Sequence, residues 1–441
     1  MAWKEEYKRK LVSAEDAVAV VKSGDRVAIG YGDEPVLLST MLQARAGEIE
    51  GVEILYTGPG QETGWFDPGL SPYFRVKVQN TYRSNFREII RNNQAEFIPF
   101  LFTLSLKALL EREPESGRPD VFMTVVSPPD EKGFCSFGHS LWNKRSYLKW
   151  SRTVMAEVDQ RQMRTCGDNR VHVSEIDYFV DYTPPEPAPY YTLPEPDDVV
   201  RQVGEHVAGL VNHGDTVQIG WSRVTMLLPT IGVFDNKLDL GIHAEVTAPG
   251  VPNLVEAGVF NGKRKTLNPR TAVMTALYGA GPDMELAAEN PRIQLRDVDY
   301  TNDLRVISSH DNMVAINGAV SVDLTGQINV ESGRDLYPIN GPGGQPEFVV
   351  GSLMSKGGRS ITVLRSTNQE GTESRIVPVL EEGSAVTIPR TLADYVITEY
   401  GVARLLGKSL RERAEELVAT AHPQLRGELR KALKRRFYSQ P

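Results

Sequence analysis

The chain has little cysteine, little histidine, no excess of basic residues and no long apolar run, and each shortage removes a class of function. Its 441 residues include 2 cysteines, Cys135 and Cys166, with no C-x-x-C pair. A disulfide scaffold is therefore excluded, and two reduced thiols in a cytosolic protein are expected. The 7 histidines are scattered without H-x-x-x-H spacing, so no metal site is expected. A formal net charge of −8 argues against a nucleic-acid-binding surface. Helix N-termini and backbone N–H groups still leave room for a phosphorylated ligand. No stretch approaches the roughly 18 apolar residues that a membrane span needs. The first ten residues mix charges around no apolar core, unlike a secretory signal. The expectation is a soluble cytoplasmic protein without membrane or nucleic-acid partners. P-loop and G-x-G-x-x-G fingerprints are absent, and Gly220-Trp-Ser222-Arg-Val lacks the closing glycine of a G-x-S-x-G elbow.

What is present describes an ordinary globular α/β chain, 40% hydrophobic and 24% charged, long enough for two or three domains. Six prolines between Thr183 and Asp197 deny that stretch helix or central strand, leaving a linker at 183–197. This divides the chain into domains at 1–182 and 198–441.

The two parts repeat each other. EDAVAVVKSGDRVAIG at Glu15–Gly30 matches EHVAGLVNHGDTVQIG at Glu205–Gly220, with Val27 over Val217 and Gly24-Asp25 over Gly214-Asp215. Each copy reads as an amphipathic helix closed by a glycine, then a short apolar strand ending in a glycine loop. Val121…Gly133 resembles Val314…Gly326, and Ile176–Val180 resembles Ala393–Ile397, in the same order with a growing offset. Further β-type runs are Val154–Glu157, Leu238–His243, Arg305–Ser308 and Ile361–Leu364. Alternation with helical stretches favours mainly parallel sheets covered by helices. Near the end, Ser409-Leu-Arg-Glu412 is a capping box, and Pro423 marks a break before a last basic helix through Arg436. Its Arg430, Lys431, Lys434, Arg435 and Arg436 read as a solvated face.

Two places suit chemistry, because open α/β sheets bind ligands at the carboxyl ends of their strands. Leu238–Glu245 reads as a strand whose last residue is a carboxylate. Gly341-Pro-Gly343-Gly344-Gln345-Pro-Glu-Phe348 is a glycine-rich loop. A carboxylate can attack an activated acyl group, and bare glycine N–H groups can stabilise the resulting oxyanion. His243 would share a strand face with Glu245; a structural histidine and an acid–base one are both open readings.

At these residues the chain resembles the acetyl-CoA hydrolase/transferase family, and within it the 4-hydroxybutyrate CoA-transferase branch. The likeness runs through Val126-Ser-Pro-Pro-Asp-Glu-Lys-Gly-Phe-Cys135, Leu240-Gly-Ile-His-Ala-Glu245, Ile316-Asn317, Val322-Asp-Leu-Thr-Gly-Gln327, Gly341–Gln345 and Val396-Ile-Thr-Glu-Tyr-Gly401. The resemblance implies two similar α/β/α domains with the active site between them. It implies Glu245 as the residue that forms a glutamyl-CoA thioester, with Gly343 and Gly344 beside the thioester carbonyl. Gly220, Asn317, Gly341 and Gln345 would bind coenzyme A, a substrate rather than a tightly bound cofactor. The partners implied are acyl-CoA, small carboxylates and a second copy of the chain, as a homodimer or dimer of dimers.

Two departures stand out. Where the family carries Gly-x-Gly-x-x-Pro, this chain has the longer Gly220-Trp-Ser-Arg-Val-Thr-Met-Leu-Leu-Pro229, which sets Trp221 and Arg223 at the expected substrate pocket or coenzyme A channel, with a solvated Arg223 an equally open reading. Where the family carries Gly-Gly-Gln-Val-Asp-Phe, it has Gly343-Gly-Gln-Pro-Glu-Phe348. Three readings remain at this stage: CoA transfer by a ping-pong route, hydrolysis through the same glutamate, and acyl-CoA binding without catalysis.

Overall fold

A computed structural model describes residues 2–58, 63–80, 85–112, 117–185, 192–333 and 337–438. The middle of the proline-rich stretch, 186–191, lies outside the described residues.

Two large sheets organise the chain. In the first, the strands run Tyr178–Asp181, Thr153–Val158, Val121–Val126, Arg26–Ile29, Val52–Tyr56, Phe74–Val78 and Glu96–Phe97, every neighbouring pair parallel. In the second, the order is Gly241–Ile242, Thr216–Ile219, Met313–Gly318, Arg359–Val363, Tyr395–Thr398 and Gly401–Arg404, with only the last pair antiparallel. The central strands are buried on both faces because helices cover both sides.

The sequence repeat reappears in the register. Val27 sits opposite Val121, and Val217, its counterpart, sits opposite Val314. Gly24 and Gly214 both take left-handed backbone, at φ 80° and 81°. Beside them, Asp25 accepts from the Lys22 N–H and an Arg152 guanidinium, while Asp215 accepts from the Asn212 N–H and an Arg359 guanidinium. Each glycine closes the turn rather than the helix; the second helix, Asp198–Leu210, is capped at Val211.

The halves are knitted together by backbone as well as side chains. Cys166–Gly167 pairs in parallel with Ile293–Leu295, so a small third sheet takes strands from both halves. The Leu141 and Val298 amides bond Thr275 and Trp142 carbonyls across the same seam. Cys135 is buried, and both cysteines are free thiols.

Two sequence expectations need correction. Arg305–Ser308 is helical, within Leu304–Ser308, because Asp303 accepts from the Arg305 N–H as an N-cap. Leu238–His243 is strand only at Gly241–Ile242: Asp239 has left-handed backbone at φ 58°, which an extended run does not tolerate. The capping box at Ser409–Glu412 and the final helix, Arg426–Phe437, form where the sequence pattern places them. Among the described residues no helix is long and apolar enough to cross a membrane.

Candidate active site

Glu245 lies just past the short strand Gly241–Ile242, where the chain leaves the second sheet and leans on the third. His243 and Val246 each form an isolated bridge, to Val273 and Ala276, and the Glu245 carbonyl accepts from the Thr275 and Ala276 amides at 2.8 and 3.2 Å. Its backbone is thereby fixed on both sides, and its side chain turns into a cavity of about 200 Å³.

The carboxylate is buried, at 8% exposure. Asn302 donates its side-chain N–H to Glu245 Oε2 at 3.0 Å, and the Gly344 N–H bonds the same group. Burial pushes the carboxyl up to about 8; the Asn302 bond opposes this, and the nearby Glu347 carboxylate adds to it. Ionised, such a group is a stronger nucleophile than an exposed carboxylate.

The glycine loop fits against it with no room to spare. A Cβ on Gly344 would stand 1.8 Å from Glu245 Oε2 and 2.4 Å from Asn302 Nδ2. Gly343 takes left-handed backbone at φ 58°. A Cβ on Gly341 would lie 2.7 Å from the Gln79 carbonyl, so the loop also seats on the strand end of the amino-terminal half. Gln345 opens the helix Gln345–Met354 and borders the cavity, and its buried Nε2 has no hydrogen-bond partner among the described residues.

The remaining sequence-singled residues divide. Asn317 and Gln218 exchange paired amide bonds of 2.9 and 3.0 Å in the cavity wall. Gly220 is required beside them, since its Cβ would meet Asn317 Oδ1 at 2.2 Å. Trp221 lines the cavity and packs edge-on against Tyr278, at 5.6 Å between ring centres. Arg223 is exposed and outside the lining. The longer loop after Gly220 is ordered locally: Ser222 Oγ accepts from the Thr225 N–H, and Thr225 bonds the Gly220 carbonyl before the turn Thr225–Thr230.

His243 is wholly buried, bonds the Thr301 carbonyl at 2.9 Å and packs at a tilt against His310, with ring centres 4.6 Å apart. Burial lowers it well below its ordinary range, so it remains neutral. It supports the Thr301–Asn302 segment and does not reach the carboxylate.

Sequence reading missed Asn302 and Thr103, and met Glu347 only as a departure within the glycine-loop motif, with no role assigned. Glu347 Oε2 accepts from Asn302 at 2.7 Å, and Oε1 accepts from the Thr103 N–H and hydroxyl at 3.0 and 2.6 Å. The site therefore draws on both halves. A wider open cleft of about 730 Å³ lies beside the helix Lys144–Trp150. Its buried Asp297, pushed up by burial, takes backbone N–H groups of Asp299, Arg145 and Ser146, and among the described residues no glycine-rich loop lines the cleft. Among the described residues no group of three or more His, Cys, Asp or Glu could hold a metal ion.

A buried carboxylate just past a strand end, with the Gly344 N–H on it, is an arrangement suited to acyl transfer, and the relatives of the chain place it in a family. Residues 1–187 match the acetyl-CoA hydrolase/transferase N-terminal domain, and residues 282–433 match the C-terminal domain of the same family. The chain is 39% identical to a 4-hydroxybutyrate coenzyme A transferase of Clostridium kluyveri, over 99% of this chain and 100% of that one. It is 36% identical to a succinyl-CoA:cyclohexane-1-carboxylate CoA transferase of Geobacter metallireducens, over 98% and 97%. Among solved structures, RipA from Yersinia pestis superposes with a TM-score of 0.91 at 31% identity, covering 99% of each chain. A 4-hydroxybutyrate CoA-transferase from Porphyromonas gingivalis superposes at 0.79 and 32% identity, covering 99% and 100%. The chain belongs to the acetyl-CoA hydrolase/transferase family, and its enzyme class is that of the CoA-transferases.

Proposed function

We propose that the protein moves coenzyme A between a short-chain acyl-CoA and a carboxylate acceptor, through a thioester on Glu245. The observation that carries this reading is the buried Glu245 carboxylate, held by Asn302 at 3.0 Å against Gly344, which stands too close to admit a side chain.

Ionised Glu245 attacks the acyl carbonyl and the C–S bond breaks, giving a mixed anhydride and CoA thiolate. The thiolate attacks the glutamyl carbonyl, forming glutamyl-CoA and releasing the first carboxylate. An acceptor carboxylate then attacks glutamyl-CoA, and the returning thiolate takes the new acyl group, which frees Glu245. Each step conserves one activated acyl bond, so no outside energy source enters. Gly343 and Gly344 supply N–H donors where oxyanion charge develops. Gly220, Asn317, Gly341 and Gln345 border the coenzyme A path, and Trp221 meets the acyl group. Arg223 would touch only an outlying part of the substrate.

The same reading divides the chain into domains at 1–182 and 198–441. It places the enzyme in the cytoplasm as a homodimer or dimer of dimers; two free thiols suit that compartment. Exchange between acetyl-CoA and isotopically labelled butyrate tests the activity. Acceptor-dependent exchange, lost in Glu245→Gln, is expected. Free CoA accumulating at the same rate with or without acceptor would establish hydrolysis instead.

A further inference from the structure

We propose that Glu347 is a positioning residue: through the Asn302 amide it fixes the Glu245 carboxylate, and it takes its own place from Thr103 in the amino-terminal half. This rests on Glu245 being the nucleophile.

Asn302 Nδ2 has two hydrogens, and both are used, one on Glu245 and one on Glu347. Its Oδ1 accepts from the Thr301 hydroxyl at 3.0 Å, so the amide is locked with its N–H groups toward the two carboxylates. Removing Glu347 leaves one of those hydrogens unmatched and the amide free to turn.

Glu347 is itself held by donors only. The helix Phe102–Glu111 begins at Leu101, which has no side chain able to cap it, and Glu347 supplies that cap through the Thr103 N–H. Glu347 also stands in the first turn of its own helix. Two helix N-termini and three donors favour the anion, although burial pushes the group above the ordinary carboxylate range. The seating of one half on the other is thus transmitted to the nucleophile through three side chains.

A purely structural cap would not influence the titration of Glu245; this one carries a like charge beside it. The other titratable groups around the pair are Tyr278, pushed up by burial, Asp303, held low by Arg305, and His243, held neutral by burial. Lys265, brought down to about 7 by burial, acts on His243 and His310.

The test compares full-length Glu347→Gln, Thr103→Val and the parent for kcat and KM, for kcat/KM against pH, and for thermal unfolding. In Glu347→Gln, kcat is expected to fall about tenfold or more with KM for acetyl-CoA changed less than about twofold, and the acid limb of kcat/KM moves to lower pH. Thr103→Val keeps the charge and the backbone donor, so its kcat falls less and its limb stays with the parent. A folded Glu347→Gln with parental kcat and limb overturns the proposal. So does a Thr103→Val limb displaced as far as that of Glu347→Gln. If Glu347→Gln does not fold, Thr103→Val decides alone, and a parental kcat sinks the proposal. Labelling of Glu245 in the parent separates the two claims: without it the nucleophile reading fails and this one with it, whereas a labelled parent beside an unaffected Glu347→Gln removes only the positioning role.

Discussion

Gly344 approaches Glu245 so closely that a Cβ on it would stand 1.8 Å from the carboxylate oxygen Oε2. Gly344→Ala must therefore move the nucleophile or the loop. Exchange is expected to fall by about 100-fold or more, the scale of losing one aligned oxyanion donor, while the protein remains folded by circular dichroism. Activity within a few-fold of the parent would show that the loop does not meet the reacting carbonyl.

The pH dependence follows from the direction of the Glu245 shift. Burial pushes it up to about 8, and only the ionised form attacks. The free-enzyme parameter kcat/KM should rise about tenfold per pH unit below that value and level above it. A profile flat from pH 6 to 9 would remove the elevated nucleophile from the account.

The same shift has a stability consequence of opposite sign. The folded-state value of about 8 lies above the ordinary 4.5, so the native state holds a proton that the unfolded chain releases between them. The parent loses stability as pH rises through that window. Glu245→Gln escapes the loss and should be more stable than the parent at pH 8 by on the order of a few kcal/mol, read as a higher unfolding temperature, with the advantage disappearing toward pH 4. Comparing the two proteins at each pH cancels the contribution of Glu157, another buried carboxyl pushed up to about 8.

Trp221 stands in the cavity wall against Tyr278. Trp221→Ala should open space for longer acyl chains, raising kcat/KM for hexanoyl-CoA relative to acetyl-CoA by about tenfold. An unchanged preference across acetyl-, butyryl- and hexanoyl-CoA would place the acyl group elsewhere.

Much of this was legible in the sequence, for identifiable reasons. The repeat was readable because Gly-Asp turns and apolar strands recur in order, and the register pairs Val27 with Val121 as it pairs Val217 with Val314. Glu245 and the glycine loop were weak signals by residue type and were singled out through the family resemblance of Gly-Ile-His-Ala-Glu and Gly-Pro-Gly-Gly-Gln; the structure brings the two together. Arg305–Ser308 was misjudged on apolar content alone, although Asp303 offered an N-cap signal two residues earlier. Asn302 and Thr103 carried no comparable signal, and Glu347 showed only as a departure within the loop motif, without its partners. They meet only in three dimensions: Glu347 bonds a residue 244 positions away, and a lone asparagine in a polar loop looks like any turn residue.

The central claim concerns one bond, the thioester on Glu245. The most direct measurement is to incubate the protein with acetyl-CoA in the absence of acceptor, reduce with borohydride and map the modified peptide by mass spectrometry. Modification confined to Glu245, and absent from Glu245→Gln, is the predicted result. Exchange that proceeds with Glu245 unmodified, or a covalent adduct on another residue, would contradict it.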